Sequence, residues 1–196
     1  VAVKVLTVGG LDEAARRRFE REQRAMGSLS AHPAIVTLHD SGFTPEGYPY
    51  LVMELMAGGS LKDRITSGGA VPWEEAAGII GTVAGALAEA HGEGIIHRDI
   101  KPDNILISGY GEPKIADFGI ATLTEGSMTA TASVAATIEY APPEVLEGEI
   151  GDELADVYSL AATMFAMVAG RSAFRSGDRD TAVGLMGRVL TAPVPD

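Results

Sequence analysis

The stretch Ile96-His97-Arg98-Asp99-Ile100-Lys101-Pro102-Asp103-Asn104-Ile105-Leu106 sets Arg98, Asp99, Lys101 and Asn104 within the eight positions from His97 to Asn104. Apolar residues flank it: Ile95 and Ile96 before, and Ile105 to Ile107 after. Such flanks bury themselves, and the polar run between them becomes a loop pinned at both ends. Thirteen residues past Asn104 stands Asp117-Phe118-Gly119, behind a second short apolar strand, Lys114-Ile115-Ala116. Two carboxylates and one carboxamide, those of Asp99, Asp117 and Asn104, are thereby presented by loops around a small strand pair. Oxygen donors that converge in this way suit a hard cation such as Mg2+ carrying a nucleotide phosphate. Asp99 is then free to accept a proton, and Lys101 to offset negative charge.

His97-Arg98-Asp99 with Lys101 and Asn104, followed by Asp117-Phe118-Gly119, resembles the catalytic and metal-binding loops of the protein kinases. The resemblance implies ATP and Mg2+ as cofactors. It implies Asp99 as the residue that orients an acceptor hydroxyl and takes its proton. Lys101 would offset charge on the transferring phosphate, and Asn104 and Asp117 would hold the metal.

The 196 residues are enough for a large core, and length alone allows one domain or two. With 46% hydrophobic residues the chain folds and is no disordered tail. Net charge is −12, and Arg16-Arg17-Arg18 is the one dense basic run, read as the solvated face of a helix. A nucleic-acid partner is therefore not expected. There is no cysteine, which excludes disulfides, thiolate metal sites and cysteine nucleophiles. It also fits a reducing cytoplasm, the location expected here, whether or not the parent protein is membrane-anchored through other regions. The longest apolar helix candidate, near 153–169, carries Asp156 and reads as a buried core helix, not a membrane span.

Val1 to Val8 alternates like a strand, with Lys4 in its middle. A lysine inside an apolar strand is costly unless it has a partner. In kinases the Val-Ala-Val-Lys pattern sets this lysine against the α and β phosphates, and the resemblance also sets Ala2 and Leu106 against the nucleotide. Residues 11–29 read as a helix with Asp12 as N-cap. Within it Glu22 matches the glutamate that pairs with the strand lysine. Glu20 matches instead if the loop that follows shifts by one residue.

Ile35 to His39 reads as a strand, Thr44-Pro45-Glu46-Gly47 as a turn and Tyr48 to Glu54 as the returning strand of a hairpin. The resemblance makes Met53 the side chain bordering the nucleotide pocket, and gives the backbone of Glu54 and Met56 the adenine edge. Gly58-Gly59 marks a hinge. Ser60 to Ser67 is a short helix and Trp73 to Gly92 a longer one. Ala77, Ile80, Ala84, Leu87 and Ala88 follow its period. Gly78, Gly81 and Gly85 at three- and four-residue steps suggest that another helix approaches closely.

Residues 120–136 are rich in Thr, Ser, Ala and Gly and read as a long loop. It resembles an activation segment, with phosphorylation expected on Thr129, Thr131 or Ser133 and Arg98 available to pair with that phosphate. Thr137-Ile138-Glu139-Tyr140-Ala141-Pro142-Pro143-Glu144 resembles its closing motif, with Ala136 for Gly and Pro142 for Ala. Thr137 would bridge toward Asp99 and Lys101, and its presence favours serine or threonine over tyrosine as acceptor. Asp156-Val157-Tyr158-Ser159-Leu160 matches a buried helix whose acid holds the catalytic loop through backbone N–H groups.

The fold expected is α+β and bilobal: a small β-sheet-plus-helix N-lobe and a mainly helical C-lobe. Residues 1–56 are read as an N-lobe lacking the glycine-rich loop, and 57–196 as a C-lobe lacking its last helices. The function implied is transfer of the ATP γ-phosphoryl group to serine or threonine hydroxyls of protein substrates, with self-association or autophosphorylation. The alternatives are a catalytically silent kinase-like binding or scaffold module and a small-molecule phosphotransferase. The second alternative usually lacks both Lys101 and the Thr137–Tyr140 motif.

Overall fold

A computed structural model describes residues 1–6, 12–118, 137–177 and 180–195, with the side chains of Arg18, Glu22 and Ala25 outside the description. Alternating Ala2-Val3-Lys4-Val5 forms strand β1 (Ala2–Val5). It pairs antiparallel with β3 (Pro49–Met53), setting Ala2 opposite Met53 and Lys4 opposite Leu51. β3 also pairs antiparallel with β2 (Leu38–Phe43), so the sheet order is β1-β3-β2. The hairpin turn carries Gly47 at φ +87°, a region that glycine enters without a Cβ clash.

Helix α1 (Glu13–Leu29) begins where the Asp12 carboxylate accepts the Ala15 N–H at 2.8 Å. It lays Phe19 on the sheet, edge-on to Phe43 at 5.4 Å, and Phe19, Leu6 and Leu51 make a small upper core. The Arg16 guanidinium covers the Phe43 ring at 4.6 Å, so one arginine of the basic run shields apolar surface while keeping its charge in water.

The strand expected from Ile35 begins instead at Leu38. Ile35 bridges in parallel to Ile115, the Val36 N–H donates to the Ile115 carbonyl at 2.8 Å, and Ile115 N–H donates to the Ala34 carbonyl at 2.8 Å. Both side chains are buried. Hairpin and cross-chain pairing satisfy the same backbone groups, and period alone cannot tell them apart. Burial against the lower half decides for the second.

That lower half holds α2 (Leu61–Gly68), α3 (Trp73–Gly92), a 3-10 turn (Pro102–Asn104), and the antiparallel pair β4 (Ile105–Ile107) and β5 (Pro113–Ile115). The helices α4 (Pro143–Leu146), α5 (Glu153–Ala169) and α6 (Ala182–Thr191) follow. α2 starts in a capping box: Ser60 accepts from the Asp63 N–H, and the Asp63 carboxylate accepts the Ser60 N–H. The main core gathers Leu61, Val83, Ile105, Ile115 and Met167 from α2, α3, α5 and the strand pair.

α3 has the expected ends, but its buried stripe is Ala76, Ile79, Val83, Ala86, Leu87 and Ala90. Of the residues expected there only Leu87 is fully buried, while Ala77 and Ala88 are exposed. The apolar composition of α3 runs around most of its circumference, so its period alone left the phase ambiguous. Gly78, Gly81 and Gly85 have no described neighbour within 4 Å of a would-be Cβ, so no helix approaches them among the described residues.

The close approach lies elsewhere. A Cβ on Gly58 would stand 2.8 Å from the Ile107 carbonyl oxygen. Gly58 N–H donates to that oxygen at 2.9 Å, and Ile107 N–H donates to the Gly59 carbonyl at 2.8 Å. The chain crosses from β3 to α2 stitched to β4, and only glycine at 58 permits the contact. Among the described residues no helix is long and apolar enough to cross a membrane.

Candidate active site

Asp156 anchors the loop from which the site is built. It is wholly buried on α5. Its Oδ2 accepts the His97 N–H at 2.9 Å and its Oδ1 the Arg98 N–H at 2.8 Å. His91 Nε2, at the end of α3, lies 2.8 Å from Oδ2. A buried acid needs such partners. They hold Arg98 at φ +64°, a left-handed conformation that a residue with a side chain adopts at a cost. The Arg98 Nε–H donates to the Gly151 carbonyl at 3.2 Å, which keeps the side chain on the α4–α5 connection.

His97 is the second anchor. Its Nδ1 accepts the Asp99 N–H at 3.2 Å, which assigns the ring proton to Nε2, donating to the Ala116 carbonyl at 2.9 Å. The ring packs on Phe118, centroids 4.6 Å apart. One imidazole thus ties the Asp99 loop to the residue before Asp117. Burial holds its pKa below the usual 6.5, against the Ala116 carbonyl and the charges of Asp156, Asp99 and Asp117, which pull it upward. The unfolded chain takes up a proton near that usual value while folded His97 stays neutral. This share of stability is therefore full above about pH 6.5 and declines as pH falls toward the lower folded pKa, by up to about 1.4 kcal/mol per pH unit. The urea midpoint is expected to fall between pH 7 and pH 5.5. The His97→Phe variant, although less stable, should show a shallower fall; equal slopes in both proteins would assign the dependence to other groups.

These anchors bring the polar groups together. Lys101 Nζ donates to both Asp99 carboxylate oxygens at 2.8 Å and to Thr137 Oγ1 at 3.2 Å. Asn104 Nδ2 donates to the Asp99 carbonyl at 2.7 Å and to its Oδ2 at 2.9 Å. With its nitrogen so engaged, the Asn104 carboxamide presents its oxygen as the group able to meet a cation. The Ala116 N–H donates to the Asn104 carbonyl at 2.9 Å. Asp117 follows in the left-handed region at φ +65°. Its Oδ2 accepts from Lys4 Nζ at 2.6 Å, across from the upper sheet. Side-chain exposures of 20% for Asp99 and Asp117 leave both carboxylates open to a ligand.

Asp99, Lys101, Asn104 and Thr137 therefore form one hydrogen-bonded cluster, and Lys4 with Asp117 a second pair, linked to the first through the Ala116 N–H on the Asn104 backbone carbonyl. Met53 ends β3 opposite Ala2, Leu106 lies in β4, and Glu54 to Met56 open the crossing segment. Met53 also lines, with Met26, Leu38, Phe118 and Asp117, a small apolar pocket. The Glu22 side chain, Gly119, and Thr129, Thr131 and Ser133 lie outside the described residues.

Three contacts around these residues escaped sequence reasoning. His91 joins Asp156, Lys114 joins Glu54, and Arg175 joins the buried Glu139 at 2.9 Å. The one available signal was Lys114 itself, a charge in a short apolar strand. Burial, then the charges of Glu139 and Asp103, push the Tyr140 hydroxyl well above its usual range, so it serves as a neutral packing group beneath the site.

Among the described residues no three His, Cys, Asp or Glu side chains form a metal cage. The donor set still fits Mg2+, which takes one or two protein oxygens and completes its shell from water and substrate phosphates. A carboxylate held by Lys101 and Asn104, and a second carboxylate met by a lysine from the upper sheet, make an arrangement that could serve phosphoryl transfer.

Comparison with known proteins agrees with this geometry. A family model described as protein kinase domain matches residues 1–192. The chain is 46% identical over 198 residues to serine/threonine-protein kinase PknK of Mycobacterium tuberculosis, an alignment covering all of this chain and 18% of that protein. It is 39% identical over 197 residues to serine/threonine-protein kinase PrkC of Bacillus subtilis, covering all of this chain and 30% of the relative. It is 41% identical over 202 residues to serine/threonine-protein kinase PknB of Mycolicibacterium smegmatis, covering all of this chain and 32% of the relative. The chain thus spans under a third of each of these curated relatives. With the loops around Asp99 and Asp117 converging in space and the match running through residue 192, this chain belongs to the protein kinase family.

Proposed function

We propose that this domain transfers the γ-phosphoryl group of ATP to serine or threonine hydroxyls of protein substrates. The observation that carries the reading is the Asp99 carboxylate, held by Lys101 and Asn104 beside an Asp117 that Lys4 reaches from the other lobe. Residues 1–56 serve as the nucleotide-covering lobe and 57–196 as the substrate-bearing lobe.

Asp99 orients the acceptor hydroxyl and accepts its proton as the new oxygen–phosphorus bond forms and the bond from the γ-phosphorus to the bridging oxygen breaks, releasing ADP. Lys101, already on Asp99 and Thr137, offsets charge on the equatorial phosphate oxygens, and Thr137 keeps Lys101 from collapsing onto the acid alone. Asn104 and Asp117 would hold Mg2+, which when bound would supply positive charge to offset that of the phosphates. Lys4 reaches the α and β phosphates. The Glu54 and Met56 backbone takes the adenine edge, with Ala2, Met53 and Leu106 against the ring. Glu22 supports Lys4. Little covalent work is asked of the protein: placement and charge supply the rate. The acceptor serine or threonine belongs to another protein or to a second copy of this one, and the reaction suits the cytoplasm, where ATP and Mg2+ are present.

Incubation of the purified protein with γ-labelled ATP, Mg2+ and a generic protein acceptor tests the reading. Label is expected on serine or threonine after acid hydrolysis, and chelation of Mg2+ should abolish it. Nucleotide binding without any transfer would favour the silent module instead.

A further inference from the structure

Lys114 has no part in the chemistry described above, yet it is a charged side chain on a strand that otherwise feeds the core. Its Nζ lies 2.7 Å from Glu54 Oε1 and 3.1 Å from Oε2, with the two side chains only 15% and 26% exposed. The same Oε1 accepts the Thr37 N–H at 3.0 Å, and the Glu54 N–H donates back to the Thr37 carbonyl at 3.0 Å. Thr37 closes the segment whose neighbours Ala34 and Val36 hydrogen-bond Ile115. One carboxylate therefore joins three pieces of chain: the turn after α1, the start of the crossing segment, and β5.

The charges agree with the geometry. Burial raises the Glu54 carboxyl, but the hydrogen bonds from Lys114 and Thr37 and the charges of Lys114 and His39 outweigh it and hold the group below its usual range. An ion pair so enclosed and doubly hydrogen-bonded differs from a surface pair, whose value is small.

In the reading under Proposed function, residues 54–56 and Asp117 meet opposite ends of the nucleotide. Lys114 stands three residues before Asp117, on the strand that delivers it. We propose that Lys114 is a positioning residue for adenine nucleotides: through the Glu54 carboxylate it sets the distance between the adenine-facing backbone and the acid that meets the phosphates. The inference rests on the reading of the site given under Proposed function.

The experiment compares wild type, Lys114→Met, Lys114→Arg and Glu54→Gln as purified proteins. It measures KM for ATP, kcat, and equilibrium binding of ADP. Lys114→Met is expected to raise the KM for ATP and the dissociation constant of ADP about tenfold, with kcat kept within about threefold. Lys114→Arg, which keeps charge and reach, should return both to within about twofold of wild type. Glu54→Gln, which retains an acceptor for Thr37 but loses the ion pair, should follow Lys114→Met and serves if that variant fails to fold. Unchanged nucleotide affinity in whichever of these two variants folds overturns the proposal, as does a loss confined to kcat or a Lys114→Arg variant no better than Lys114→Met. Wild-type protein that binds no nucleotide would instead overturn the reading of the site, and this proposal with it.

Discussion

Replacing Asp99 by asparagine is expected to lower phosphate transfer by about 10^2- to 10^4-fold, the range associated with losing a positioned general base. The substitution keeps size and shape and removes only the charge and one acceptor oxygen. In the native site both carboxylate oxygens accept from Lys101, and Oδ2 accepts from Asn104 as well. A carboxamide turned to satisfy one of these donors presents its own N–H groups to another, so Lys101 is pushed toward Thr137. Nucleotide binding should hardly change, because Lys4, Asp117 and residues 54–56 are supported by other contacts. Single-turnover transfer measured beside an ATP titration separates the two effects. Wild-type turnover in this variant would show that Asp99 is not the base.

Asp156→Ala is expected to cost about 3–5 kcal/mol of stability, the lower part of what roughly 1–3 kcal/mol for each of three groups left without a partner would add up to, because the His91 and Arg98 contacts are only part-buried. The stranded groups are the His97 and Arg98 N–H donors and the His91 ring. For a chain of this length, about 2–4 °C per kcal/mol translates this into a fall in Tm of roughly 10 °C. Transfer should fall further than stability, even at temperatures where the variant is folded. Arg98 has no reason to keep φ +64° once its N–H is released, and relaxation of that residue turns Asp99 away from Lys101 and Asn104. Asp156→Asn keeps an acceptor for one of the two N–H groups and should fall between wild type and alanine. Thermal denaturation followed by a transfer assay checks both parts; an alanine variant as stable as wild type would show that the loop holds itself.

Much of the site was legible because its chemistry demands particular residue types at short spacing. Asp99, Lys101 and Asn104 lie within six positions, and the 3-10 turn Pro102–Asn104, pinned by buried Ile100 and Ile105, folds the chain back so that Asn104 reaches Asp99. The ends of α1, α3 and α5 were legible for a local reason as well. Asp12 and Asp152 accept N–H groups in the first turns of α1 and α5, while Pro72 and Gly170 punctuate the chain.

Other features had no local signal. Ile35 and Val36 read equally well as the start of a hairpin strand and as the residues that bridge to Ile115, because both roles want a β-branched apolar side chain. The buried stripe of α3 could not be phased from a helix that is small and apolar on several faces.

What the sequence by itself determined is the inventory and its local geometry: which acid, amide and lysines exist, how far apart they stand along the chain, and which turns and caps present them. Short-range sterics and hydrogen bonding suffice for that. Only the tertiary structure decided which partners they find across long stretches of chain: Lys4 with Asp117, Lys114 with Glu54, Arg175 with Glu139. Those pairings depend on burial, which removes water as the competing partner and makes each charge seek another that the packed core brings within reach.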